Sequence, residues 1–210
     1  MEVLPHEPEV LLREVDGLAL DESIVDLVAG VTEAGGALEI VSDGTGFHVE
    51  RMLDRLDLAH LPVATNASVL GQGAEGVTFP YGHPACHVCG TCKRERIRLH
   101  QAAGRAVVFV GDGPSDRYAA HHADVIFAKH SLANWCEVEN VPYEPWQRLA
   151  DVAEWLEVAL LDGRLPASPD DYEGWAAEAR PEAESFICGP ELWGEEREVA
   201  PGSVDRSALR

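Results

Sequence analysis

Apolar residues recur along this chain with two spacings that alternate, and the alternation predicts its elements. Residues 20–33 carry Leu20, Ile24, Leu27, Val28 and Val31 on one helical face, and Gly35-Gly36 ends that run. Residues 37–41 form a short apolar stretch, predicted as a strand ending in Ser42-Asp43-Gly44. Residues 47–56 read as a helix with Val49, Met52, Leu53 and Leu56 on one face. After Pro62 the texture changes: residues 63–80 are Gly-rich, with short strand-like pieces and no helical period. A basic helix over 93–103 leads into an apolar strand at 107–110. A helix at 117–122, a strand at 125–128 and a helix capped by Ser131 and running to about 139 follow. The Pro-flanked segment 141–146 suits an edge strand, and 148–161 an amphipathic helix. Such β-α alternation predicts an α/β fold, a parallel sheet with helices on both faces.

Composition narrows the partners. The chain has 210 residues, with 16 Lys and Arg against 37 Asp and Glu, a net charge of −21. So acidic a chain repels nucleic acid and anionic membrane surfaces, which are drawn to basic patches. No apolar run reaches the length of a membrane span, and residues 1–7 do not resemble a signal peptide, so a cytoplasmic location is expected. The organisation expected is a helical remnant at 1–20, a core at 21–162 with a Gly- and Cys-rich hairpin insertion at about 63–92, and an acidic extension over 163–210. In that extension Trp175 and Trp193 are candidates to dock on the body.

Candidate chemistry concentrates at strand ends. The run from Val107 to Asp116 is a buried-type strand ending in Gly111-Asp112-Gly113, with a second carboxylate, Asp116, at the mouth of the next helix. A buried parallel strand delivers its carboxyl end to the ligand crevice of an α/β sheet, and paired carboxylates on a glycine turn suit Mg²⁺. Lys93 opens the helix before that strand, and Ser42 ends an earlier strand. A second cluster, Cys86-x-x-Cys89-x-x-Cys92 with His83 and His87 nearby, has a spacing that can chelate Zn²⁺, or reads as reduced thiols in a loop. Cys136 and Cys188 read as structural. Gly71-Gln-Gly-Ala-Glu-Gly76 spells a dinucleotide fingerprint, but no helix opens after it and it reads as a turn. His121 and His122 are expected on the surface.

These motifs together resemble the haloacid dehalogenase-like phosphohydrolase superfamily. Gly111-Asp112-Gly113-Pro-Ser-Asp116 matches its metal-binding turn. Ile40-Val-Ser-Asp-Gly44 with Phe47, Cys89-Gly-Thr-Cys-Lys93, and the run from Ser115 to Lys129 are similar to the MtnX/phosphoserine phosphatase-like branch. The likeness extends over residues 18–152. It implies a Rossmannoid core with a small cap and hydrolysis of a small phosphorylated metabolite with Mg²⁺. The resemblance gives Asp112 to the metal and Asp116 to the metal or to the orientation of Lys93. It gives Lys93, Ser42 and the backbone of Asp43 and Gly44 to the phosphoryl group. A homodimer is compatible with it.

One family element is not in this sequence. Members open with a central strand ending in Asp-x-Asp-Gly-Thr, whose first Asp is the nucleophile. Here Asp43-Gly44-Thr45 is preceded at the nucleophile position by Val41. The family's central strand lies between those bearing Ser42 and Asp112. Leaving its slot open would strand backbone groups at roughly 1–3 kcal/mol each, beyond the ~5–15 kcal/mol stability of a domain. Additional chain before residue 1 is therefore expected; the alternative is a shortened, inactive relative that binds phosphate or a partner.

Overall fold

The computed structural model describes residues 7–69, 76–83, 89–166 and 171–172. These fall into two compact units that divide between Thr91 and Cys92. The first holds α1 (Pro8–Asp16), α2 (Ile24–Glu33), β1 (Ile40–Thr45), α3 (Gly46–Asp54), β2 (Val63–Ser68) and β3 (Val77–Thr78). The second holds α4 (Lys93–Ala102), β4 (Val108–Gly111), α5 (Arg117–Ala120), β5 (Val125–Ala128), α6 (His130–Glu139), β6 (Glu144–Pro145) and α7 (Leu149–Leu161). The architecture is α/β with parallel sheets flanked by helices. No helix among the described residues is long and apolar enough to cross a membrane.

In the first unit β1 pairs with β2 in parallel and β3 adds antiparallel to β2. The core beside this sheet is built from Val28, Leu53, Leu58 and Leu61, with Ile24, Ile40 and Val49 against them. Helix α2 ends where its glycines demand: Gly35 takes a left-handed φ of 75°, and the Gly36 amide donates back to the Val31 carbonyl at 2.8 Å. Its start lies four residues later than Leu20, because the Asp21 carboxylate takes both the amide and the hydroxyl of Ser23 and holds a turn there. Helix α1 is fastened to α3 by Arg51, which donates two hydrogen bonds to Asp16, and by Arg55, which donates to the carbonyls of Val15 and Leu18. The Arg51 guanidinium holds the Asp16 carboxyl below its usual range.

The second unit has a wholly parallel sheet in the order β4-β5-β6. Its core gathers Ile97, Ala119, Ala120, Ala123, Ile126, Leu132 and Cys136. Small alanines on α5 let that short helix approach closely, and burial pushes the Cys136 thiol up from its ordinary value. Phe127 meets Trp155 of α7 edge-to-face with centroids 5.3 Å apart. Helix α7 starts where the Asp151 carboxylate accepts the amides of Gln147 and Arg148. The edge-strand reading of 141–146 narrows to β6, and 125–128 is a strand as expected.

Three local expectations are corrected. The strand expected at 37–41 and ending in Ser42-Asp43-Gly44 is β1, which starts only at Ile40 and continues through those three residues to Thr45. Ser131 lies within α6, whose N-cap is Lys129, because the Ser131 hydroxyl is used on the Asp112 carbonyl instead. His122 is buried, not on the surface, since α5 is only four residues long and His122 follows it inward beneath His121, which meets the Trp135 ring edge-on. Most of the 71–76 turn, Trp175, Trp193 and Cys188 lie outside the described residues.

His48 gives the fold a dependence on acidity. Its Nδ1 lies 2.6 Å from the Thr45 hydroxyl at the start of α3. Partial burial holds its pKa below the ordinary value of 6.5, against a smaller opposing effect of a hydrogen bond to the Thr45 backbone. The unfolded chain therefore takes up this proton first, and stability rises with pH across the window. The contribution is complete above 6.5 and is lost as the pH falls from there through the folded-state value. As the pH is lowered from 6.5, urea-unfolding midpoints should fall more steeply for the native chain than for His48→Gln. Equal slopes would contradict this.

Candidate functional site

At the carboxyl end of β4 the chain turns through Gly111-Asp112-Gly113 into α5, and one carboxylate organises the turn. Asp116 Oδ2 accepts the amides of Asp112 at 3.0 Å and Gly113 at 2.9 Å. Its Oδ1 accepts from Lys93 Nζ at 2.5 Å, and Lys93 donates again to Ser115 Oγ at 3.0 Å. Both charged side chains are almost buried, with 11% and 9% of their surfaces exposed. A buried pair is held only when its remaining donors and acceptors are also occupied, and here both Asp116 oxygens are. Glycine at 111 is a steric requirement: a Cβ there would stand 2.8 Å from Asp116 Oδ2 and 2.9 Å from Phe109 Cε1.

The Asp112 carbonyl is held as firmly as its amide. Ser131 Oγ donates to it at 3.0 Å and the Leu132 amide at 3.3 Å, both from the first turn of α6. His130 takes a left-handed φ of 51° to make that corner, and its Nδ1 stands 3.6 Å from the Asp112 carboxylate. With amide and carbonyl fixed, Asp112 presents its side chain outward, 57% exposed. Mg²⁺ is typically bound through one or two carboxylates while keeping several waters. Asp112 is the residue of this turn that could hold such an ion, because the Asp116 oxygens are engaged by Lys93 and by backbone amides.

In the first unit the segment bearing Ser42 is a bulge. Val41 pairs with Ala64 and Thr45 with Asn66, so four residue steps on β1 face two on β2. The two extra residues break the ladder and strand carbonyls, which side chains from β2 then satisfy. Thr65 Oγ1 donates to the Gly44 carbonyl at 2.7 Å, and Asn66 Nδ2 to the Asp43 carbonyl at 2.6 Å. Asn66 Oδ1 accepts from Thr91 Oγ1, and the Thr91 amide donates to Asp43 Oδ1 at 2.8 Å. A carboxylate next to a phosphate-binding hydroxyl would be unfavourable; that of Asp43 is spent on Thr91. Ser42 Oγ accepts the Gly44 amide at 3.0 Å, which leaves its proton to donate.

The structure therefore brings Lys93, Ser115 and Asp116 together with the Asp112 turn in one unit, and Ser42, Asp43 and Gly44 together in the other. Of the cysteine cluster, Cys86 lies outside the described residues, while Cys92 is buried just before α4 and Cys89 is partly buried. Among the described residues no group of three His, Cys, Asp or Glu side chains is placed to hold a metal ion, so zinc gains no support. Sequence reasoning missed Asn66, Thr91, Ser115 and Trp146. A polar pair in mid-strand, Thr65-Asn66, was the signal that could have marked the bulge. Nothing in the spelling of Trp146 foretold that its indole would donate to the Gly111 carbonyl.

Because the pair is buried and the other bonds of each partner go to neutral groups, cutting either partner should leave the other charge without compensation. Lys93→Met alone should destabilise the chain by about 3–5 kcal/mol in urea unfolding, while adding Asp116→Asn should recover part of that loss. Additive single and double effects would show that the pair is not coupled.

No family model matches the chain. Several curated relatives do, all called 2-hydroxy-3-keto-5-methylthiopentenyl-1-phosphate phosphatase. The protein of Brevibacillus brevis is 29% identical over 157 residues, 71% of this chain and 71% of the relative. That of an Exiguobacterium species is 25% identical over 162 residues, 74% of this chain and 73% of the relative. That of Geobacillus thermodenitrificans is 30% identical over 143 residues, 66% of this chain and 63% of the relative. Together with the parallel α/β architecture, these likenesses support the haloacid dehalogenase-like superfamily as the setting of this chain.

Proposed function

We propose that this chain serves in the Mg²⁺-dependent hydrolysis of a small phosphomonoester, completed by an Asp-x-Asp-Gly-Thr strand that precedes residue 1 in the natural protein. The observation that carries the reading is the turn at the end of β4. There a buried ammonium and an outward carboxylate are tied to one another through Asp116. Lys93 uses two of its three ammonium protons on Asp116 and Ser115, and the third is left for a phosphoryl oxygen. In a site shielded from water that charge is worth far more than in solution. Asp112 would hold Mg²⁺, which when bound offsets phosphoryl charge. In the first unit, the Ser42 hydroxyl is a group that could donate to a phosphoryl oxygen. The relatives' shared name supports a small phosphorylated metabolite as the substrate class.

The upstream strand is supported by the sheets themselves. Among the described residues β1 is an end strand of one sheet and β4 of the other, so each has an edge at which a further strand could pair. A second reading is favoured by a separate observation. Val41 occupies the nucleophile position before Asp43-Gly44-Thr45, and no Asp-x-Asp-Gly-Thr occurs elsewhere in residues 1–210. On that reading the chain binds phosphate or a partner without turning over.

The test is hydrolysis of p-nitrophenyl phosphate with Mg²⁺ by the chain translated from its full upstream reading frame, with the 210-residue chain as control. The longer chain should be active, and Asp112→Asn should lower kcat/KM at least about a hundred-fold. An upstream stop codon before any such motif, or an inactive longer chain, would favour the binding protein.

A further inference from the structure

Trp146 is distant in sequence from every motif of the turn, yet its Nε1 donates to the Gly111 carbonyl at 3.1 Å. It follows β6, whose last pair is Ala128 with Pro145, and so it reaches past β5 to the end of β4. The same carbonyl accepts the Lys129 amide at 3.4 Å. The indole is itself held: Lys129 Nζ sits 3.4 Å from the ring centroid and donates to the Gln147 carbonyl at 3.2 Å.

Four donors thus converge on two consecutive carbonyls. Gly111 takes Trp146 and Lys129, and Asp112 takes Ser131 and Leu132. Trp146 is the one of the four that comes from beyond the β5-α6 corner. The peptide plane between Gly111 and Asp112 is therefore held at its amide by Asp116 and at its carbonyl by Lys129 and, with the shorter bond, by Trp146.

We propose that Trp146 is a positioning residue, acting through the Gly111 carbonyl to aim the Asp112 carboxylate at a divalent cation. The inference rests on the cation role given to Asp112 above. Trp146→Phe keeps an aromatic face near Lys129 but removes the N–H together with the pyrrole part of the indole, so its urea midpoint is measured beside its ion binding.

The probe is Mn²⁺ alone, its free ion counted by electron paramagnetic resonance in solutions of the full chain. Trp146→Phe should weaken Mn²⁺ binding about five-fold, the size expected for one hydrogen bond. Trp146→Phe placed on Asp112→Asn should change Mn²⁺ binding no further, although any effect on the urea midpoint persists. That separates a residue acting through Asp112 from one that merely supports the fold. Binding that Asp112→Asn abolishes but Trp146→Phe leaves unchanged would overturn the role of Trp146 alone. A native chain that binds no Mn²⁺ would overturn the cation reading of Asp112 and this inference with it.

Discussion

The division of the Asp116 carboxylate between its two oxygens is the constraint on which the candidate site depends. One oxygen takes the Lys93 ammonium and the other takes two consecutive amides. A helix (α4), a strand end (β4) and a short helix (α5) are thereby joined at one buried group. The arrangement explains why Asp116, standing at the N-cap position of α5, makes no side-chain cap to that helix. Its side chain is turned back to the preceding turn. It also explains Gly111, where any Cβ would collide with the carboxylate. An unpaired carboxylate at this depth would be strongly unfavourable, so Lys93 is as much a structural requirement as a chemical one.

The first unit solves a related problem with neutral groups. A bulge re-aims Ser42, and the carbonyls it strands are taken up by Thr65 and Asn66. The price is crowding, since Gly90 can carry no side chain: its Cβ would lie 2.5 Å from Asn66. In both units a glycine makes room for a polar side chain that holds backbone, and in the second the Asp112 carboxylate is left exposed.

Much of this was legible in the sequence where pattern is local. The apolar run 107–110 and the bounds of 125–128 follow from strand chemistry, while the bond between Lys93 and Asp116 is one of the two roles that the family resemblance implied for Asp116. Less local features were hidden. β1 continues through Ser42-Asp43-Gly44, which has the composition of a loop, because neighbouring β2 side chains satisfy what the bulge leaves open. Ser131 looks like a cap by position, but the Asp112 carbonyl offers it a better partner. Trp146 was invisible because its contact is made across two strands, and register decides such contacts.

The central claim is tested most directly by amide hydrogen exchange of Asp112 and Gly113, read by nuclear magnetic resonance in the native chain and in Asp116→Ala. Both amides should be protected in the native chain and exchange at least about ten-fold faster in the variant, with the Phe127 amide in β5 unchanged. Equal exchange at Asp112 and Gly113 in the two proteins would mean that the Asp116 carboxylate does not hold this turn.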